Sequence, residues 1–393
     1  MKQNKINSLT DEQLRRKAIE LYEQNWRPSE IISSLGCSKT WFYKWLKRYE
    51  QKDETWYQEE SRAPKNSRRK LQPAVEQLVI DTRKKLVLTR FSQYGPQAIY
   101  YDIINQGKES PPVWEIARIL NRHHLTRKKQ KSSYTSKGKK YPYNDLCLCQ
   151  QMDFIGPRYL KSKQRYYFLN KIDCDTHWSH SSVLKNQTAQ SVCEQLIDFW
   201  KITGIPDYLQ MDNELAFWGS LKCPNALGKV IRLCLLLKVT PVFIPLSEPW
   251  RNGIIEHFND TMQKNLLEIE YENVEQLQAS AKQFDEIHNQ QHRYSSQNGM
   301  TPLTAFNKYG YPIAPLDKEF KMPTTKLPLE EGEIHVIRFI RSDLKFNLFG
   351  LSFPMPENVK YEYVKGIILT HENCLMIYND YEYIASFEFW VMP

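Results

Sequence analysis

The sequence predicts a multidomain protein: α-helical helix-turn-helix domains at the front, an α/β core in the middle and a small β-barrel at the C-terminal end. Three observations predict it. Apolar residues recur at helical spacing through the first 125 positions and at strand spacing from about residue 147. Charge divides the same way: residues 1–140 hold 30 Lys and Arg against 15 Asp and Glu, and the remaining residues 24 against 30. Strands and helices alternate between 147 and 268, whereas only short strands follow 330.

The chain has 393 residues, enough for several domains, and its 41% hydrophobic and 13% aromatic content excludes global disorder. A basic front half on a near-neutral rear half suits a partner that is a polyanion. No apolar run approaches the roughly 18 residues of a membrane span, and the N-terminus lacks the apolar stretch of a signal peptide, so a cytoplasmic, nucleoid-associated protein is expected. The eight cysteines include no C-x-x-C pair. His123-His124 and Cys147-x-Cys149 lack zinc-finger spacing, and the thiols are expected reduced.

Residues 1–55 form the first predicted domain. Thr10 followed by Gln13 matches a capping box, and Leu14, Ala18, Leu21 and Tyr22 make an apolar stripe. Pro28 opens a second helix, Gly36-Cys37 is a turn, and Ser38 caps a third helix carrying Phe42, Trp45, Leu46 and Tyr49. This is the order of a helix-turn-helix. Its outward positions Lys39, Thr40, Tyr43, Lys44 and Lys47 are candidates for contact with bases and phosphates of double-stranded DNA. The same periodicity also describes a protein-interaction module, and the cationic third helix favours DNA. A second helix-turn-helix is expected over 72–125, and a Lys-rich tether over 126–145.

From 146 to 310 the pattern is a mixed α/β layer, and from 330 to 393 a small barrel. Three acidic residues stand at informative places in the layer. Asp153 lies inside an apolar strand, in Gln151-Met152-Asp153-Phe154. Asp212 ends another, in Gln210-Met211-Asp212-Asn213-Glu214. Glu256 follows Asn252-Gly253 near the start of a helix. A carboxylate in an apolar strand is costly unless it is hydrogen-bonded, paired or metal-bound. One such Asp is most simply structural; two at strand ends with a helical Glu form a set.

The Met-Asp-Phe strand, the Met-Asp-Asn strand end and the Asn-Gly-x-x-Glu helix resemble the DDE catalytic core of insertion-sequence transposases and retroviral-type integrases. Asp173-x-Asp175-Thr176-His177, His288-Asn289 and His292-Arg293-Tyr294 are similar to flanking segments of that core. Forty-three residues separate Asp212 from Glu256, so the surplus over the usual gap is expected within Trp218–Leu227. Glu248, with 35 intervening residues, has the commoner spacing but precedes Pro249 in a loop. The residue after Asp212-Asn213, often Gly in relatives, is Glu214, expected to face solvent. Asp260 stands where relatives carry a Lys. No zinc-binding His/Cys domain precedes the core, as it does in retroviral integrases.

The resemblance implies an RNase H-like core in which Asp153, Asp212 and Glu256 hold two Mg²⁺ ions, with Mn²⁺ able to substitute. It implies a transposase that binds the ends of a mobile element, nicks DNA to free 3′-OH ends and joins them to target DNA, working as a homo-oligomer on that DNA. Arg251 and Asn252, at the start of the Glu256 helix, are candidate phosphate contacts or turn-forming residues. His257, adjacent to Glu256 but turned about 100° from it, reads as a DNA or surface residue. Two other readings stand beside this one. The first is a domesticated, catalytically inactive DNA-binding regulator, disfavoured by the intact acidic trio. The second is a nuclease of RNA–DNA hybrids, disfavoured by motifs suited to a duplex-DNA major groove.

Overall fold

The structure, a computed structural model, describes residues 10–51, 54–59, 72–126, 139–142, 146–220, 222–223, 225–309, 315–323 and 325–392. Most of the tether expected over 126–145 lies outside the described residues. The chain divides into two compact units, Met1–Leu71 and Gln72–Pro393.

The first unit contains three helices, α1 (Asp11–Glu23), α2 (Pro28–Leu35) and α3 (Lys39–Glu50). Thr10 and Gln13 cap α1 reciprocally: the Thr10 N–H donates to Gln13 Oε1 (3.0 Å), and the Gln13 N–H donates to Thr10 Oγ1 (3.3 Å). Gly36, at φ 64°, turns the chain between α2 and α3, where a side chain would be strained. Ala18, Ile19, Ile31, Leu35, Phe42 and Leu46 form the core. The buried face of α1 is rotated slightly from the expected stripe. Arg15 is buried, stacks 4.2 Å over the Trp45 ring and donates to Tyr57 O (2.9 Å), so residues after α3 fold back onto α1.

The second unit opens with three more helices, α4 (Pro73–Leu88), α5 (Pro96–Asn105) and α6 (Val113–Arg122). Pro73 and Pro96 each occupy a first helical turn, where a missing N–H costs nothing. These helices do not stand apart from the layer behind them. Phe91, between α4 and α5, is buried edge-to-face against Phe284 (5.4 Å), and its carbonyl meets His292 Nε2 (2.7 Å). Arg90 donates to Gln283 Oε1 (3.1 Å) and Ser280 Oγ (3.0 Å). Phe91 shares one apolar cluster with Ile155, Phe168, Phe258 and Phe284. Phe91→Ala is expected to cost about 3–5 kcal/mol in urea unfolding of the full chain; a loss under ~1 kcal/mol would show that the helices dock without it.

The layer is a nine-stranded sheet in the order β11-β10-β9-β6-β5-β4-β1-β2-β3. Its first half comprises β1 (Cys149–Tyr159), β2 (Arg165–Asp173), β3 (Ser179–Leu184), β4 (Tyr208–Met211) and β5 (Thr240–Phe243). Helices α7 (Ala189–Thr203), α8 (Leu215–Trp218) and α9 (Lys229–Leu236) cover one face, while α10 (Gly253–Asn265) and α11 (Val274–Gln291) cover the other; α12 (Pro302–Tyr309) follows α11. Strand alternation assigns the faces. Gln150 on β1 bonds Thr203 and Trp200 of α7, whereas its neighbour Gln151 accepts the Ile255 N–H of α10 (3.0 Å).

Edge strand β3 is covered by α11. The Asn289 amide pairs with the Ser179 backbone in both directions, accepting its N–H (3.0 Å) and donating to its carbonyl (2.9 Å). Asp285 accepts the Ser181 N–H (2.7 Å) and hydroxyl (2.9 Å). Two backbone sites that another strand could use are thereby occupied. Burial pushes the Asp285 carboxyl up to about 6. A carboxyl raised on folding stabilises fully below its unfolded pKa, near 3.9, and loses that contribution as pH rises through about 6. Asp285→Asn is therefore expected to gain on the wild type by roughly 2 kcal/mol between pH 4 and pH 7. A pH-independent difference would contradict the assignment.

The C-terminal strands are β6 (Glu333–Phe339), β7 (Lys345–Leu348), β8 (Leu351–Pro354), β9 (Tyr363–Leu369), β10 (Cys374–Asn379) and β11 (Glu382–Glu388). β7 and β8 form a hairpin in which Phe349 (φ 47°) and Gly350 (φ 87°) reverse the chain. Phe346 of this hairpin packs on the Gly366 backbone of β9, where an added Cβ would stand 2.5 Å from its ring. The strands expected as a small barrel are present, and β6 also pairs in parallel with β5, matching Val242 to His335 and Phe243 to Val336. One apolar core therefore runs from Met152, Leu209 and Met211 to Val336, Val364 and Leu375.

Candidate active site

Register brings the first two acids together. β1 and β4 are parallel neighbours with Gln151 opposite Gln210. Two residues further along each strand stand Asp153 and Asp212, at the same end and on the same face. That face is the α10 side: Gln151 accepts from Ile255, and Gln210 donates to Arg251 O (2.9 Å) and Asn252 Oδ1 (3.2 Å). Glu256 lies in the first turn of α10, and Asn259, three residues on, donates to Asp153 Oδ2 (2.7 Å). Asn170 on β2 donates in turn to Asn259 Oδ1 (2.7 Å), so the amide that holds Asp153 is itself held.

Asp153 and Glu256 line one cleft of about 370 Å³ with Arg158, Asn259 and Gln263, in which Arg158 donates to Gln263 Oε1 (2.8 Å). Burial, then the charges of Asp212 and Glu256, push Asp153 up to about 8. Burial, with Glu214 and Glu256 adding to it, pushes Asp212 up to about 6, and burial raises Glu256. Asp153 is thus harder to ionise because of Asp212 and Glu256, and Asp212 because of Glu214 and Glu256, whereas Glu256 is raised by burial. Glu214 is exposed, as expected, yet its charge reaches Asp212, and its N–H donates to Asp212 Oδ1 (3.1 Å). Among the described residues, no three His, Cys, Asp or Glu side chains are gathered into a ready-made metal site. The donor set nevertheless fits a hard divalent cation: oxygen ligands only, in mutual repulsion that a cation's charge would relieve.

The remaining candidates fall into two groups. Lys39, Thr40, Tyr43, Lys44 and Lys47 are all exposed on α3, while Phe42, Trp45 and Leu46 face inward. Arg251 and Asn252, by contrast, are engaged in the fold. Asn252 is buried, and its amide donates to Met152 O (3.1 Å). The Arg251 guanidinium lies between the rings of Tyr141 (4.0 Å) and Tyr363 (4.8 Å), with its Nε on Glu248 (3.2 Å). Both side chains are engaged at the start of α10. Glu248 itself is buried against Tyr363 (2.7 Å) and Arg251, away from the acidic cleft. Lys264 pairs with Asp260 (2.5 Å), and His257 is exposed. Within the Trp218–Leu227 stretch, Gly219 bridges Leu227.

Sequence reasoning missed Asn259, Arg158 and the paired glutamines. The signal for Asn259 was its place one turn beyond Glu256, on the same side of α10. His288, flagged in the sequence, is an interior contact: its Nδ1 meets Ser179 Oγ (2.8 Å) and its Nε2 meets Tyr294 Oη (2.5 Å).

Comparison with known proteins places the two units. Residues 9–55 match the family model of the homeodomain-like domain, and residues 237–302 match that of the integrase core domain. The chain thus resembles transposases and integrases in carrying a homeodomain-like segment ahead of an integrase-core segment. No curated protein matches. Solved structures similar to it include the HTLV-2 integrase catalytic core domain in complex with magnesium, at 15% identity and TM-score 0.31, covering 40% of this chain and 94% of that one. The catalytic core domain of BIV integrase has 15% identity and TM-score 0.32, covering 41% and 95%. The simian T-cell lymphotropic virus intasome, solved with the PP2A regulatory subunit B56 gamma, has 13% identity and TM-score 0.36, covering 74% and 91%. No helix among the described residues is long and apolar enough to cross a membrane.

Proposed function

We propose that this chain is a transposase that binds the ends of a mobile DNA element, cleaves DNA to free 3′-OH ends and joins those ends to target DNA. The observation that carries the reading is the β1–β4 register, which sets Asp153 beside Asp212 on the face where α10 presents Glu256. In this reading Asp153, Asp212 and Glu256 hold the cations, and Asn259 keeps Asp153 turned toward them. Mg²⁺ held there would supply charge stabilisation to an in-line phosphoryl displacement. Arg158, beside the cleft, offers a phosphate a fixed cation. No Ser, Thr, Cys, Tyr, Lys or His lines the cleft, and its carboxylates are assigned to the cations in this reading, which suits attack by water and then by a DNA 3′-OH.

The exposed face of α3 supplies recognition: Lys39, Lys44 and Lys47 for phosphates, Thr40 and Tyr43 for base edges. Working at two element ends, the protein acts as a homo-oligomer on double-stranded DNA. The test is incubation of the purified chain with labelled DNA carrying the ends of its own element, Mg²⁺ and a plasmid target. Labelled end joined to plasmid, lost with EDTA and restored by Mg²⁺ or Mn²⁺, is the expected result. End binding with no cleavage or joining under either metal would favour the inactive regulator.

A further inference from the structure

Arg338, in β6, is 5% exposed, and its guanidinium has only neutral acceptors among the described residues. Its Nε donates to Asn347 O (2.7 Å), its Nη1 to Ile337 O (2.8 Å) and Ile244 O (3.1 Å), and its Nη2 to Asn213 Oδ1 (2.8 Å). Burying a cation without an anion is expensive, and an apolar side chain of similar volume would ordinarily serve the packing better. Three of the bonds go to backbone carbonyls, in β6, in β7 and just past the end of β5. The fourth goes to the residue next to Asp212.

That bond closes a small network. Asn213 Nδ2 donates to Ile244 O (2.8 Å), the same carbonyl that Arg338 reaches, and the Ile244 N–H donates to Met211 O (3.1 Å). Asp212 is thus bracketed on both sides by groups fixed to the ends of β5 and β6. The start of α10 is tied to the same C-terminal strands. Glu248 accepts from Tyr363 of β9 and from Arg251, which the Tyr141 and Tyr363 rings enclose. Two of the three carboxylate-bearing segments therefore rest on strands that lie after residue 330.

We propose that the C-terminal strands form part of the framework of the acidic site, with Arg338 as the positioning residue that holds the Asp212 turn in place for cation binding. The proposal rests on the metal-binding reading above, so its test separates the two. Mn²⁺ titration of the full chain without DNA, followed by electron paramagnetic resonance, gives an affinity independent of activity. Asp153→Asn should remove the tight component; if it does not, the metal reading fails and the role of Arg338 falls with it. Arg338→Met and Asn213→Ala should each weaken Mn²⁺ binding about 10–100-fold, the range for residues that orient metal ligands. The double variant should bind no more weakly than the worse single one, because both break the same bridge. Asn213→Ala keeps the buried cation and serves if Arg338→Met fails to fold. Wild-type Mn²⁺ affinity in a folded Asn213→Ala protein, or effects of the two substitutions that simply add, would overturn the proposal.

Discussion

Asp153→Asn is expected to reduce Mg²⁺-dependent strand joining by about 10³-fold or more while leaving end binding near the wild-type level. The magnitude follows from the several kcal/mol that paired cations contribute to a phosphoryl-transfer transition state, each 1.4 kcal/mol being about tenfold in rate. The selectivity follows from placement. Asp153 lies on β1 in the second unit, with Asn259 on its carboxylate, whereas the exposed cationic face is on α3 in the first. Asn is close in shape and can still meet the Asn259 amide through its oxygen, so folding should survive. Gel-shift and joining assays on one preparation separate the two properties. Joining retained within tenfold would remove Asp153 from the chemistry.

Deleting residues 1–71 is expected to lower preference for the element's end over unrelated DNA by roughly 10–100-fold, the discrimination of one or two base-reading side chains. The slope of binding against salt should also fall, by about 0.9 for each phosphate that is no longer neutralised. The cut belongs at residue 71 because the first unit has its own core. A cut at 125 would also remove Phe91 and Arg90, which are packed and bonded against α11, and the resulting loss of stability would obscure any change in recognition. Undiminished selectivity in the shortened chain would move recognition to α4–α6 or to the core.

The three carboxylates stood out in the sequence by their settings: one inside an apolar strand, one at the end of another, and one in the Asn-Gly-x-x-Glu start of a helix. The helices of the first unit were legible because their caps, Thr10 with Gln13 and Ser38, are local signals. What escaped depended on distant partners. Arg251 and Asn252 read as phosphate contacts or turn-forming residues, and nothing near them in sequence names Tyr141, Tyr363 or Met152 as their contacts. The parallel pairing of β5 with β6 joins positions about ninety residues apart, which strand periodicity does not encode. Phe91 sits in a polar loop, and its burial follows only from α11 packing over it.

Counting residues from Asp212 favours Glu248, but Tyr363 and Arg251 take up its carboxylate on the side of the C-terminal strands. Glu256 faces the cleft that Asp153 also lines. The stretch in which the surplus residues are expected is bridged at its base, Gly219 to Leu227.

The most direct test of the central claim is anomalous diffraction from crystals of the full chain with its end DNA, grown in Mn²⁺. Manganese is predicted within bonding distance of Asp153 and Asp212, with Glu256 completing a second site. A complex in which DNA occupies the cleft, the three carboxylates remain apart and no manganese lies between them would contradict the account.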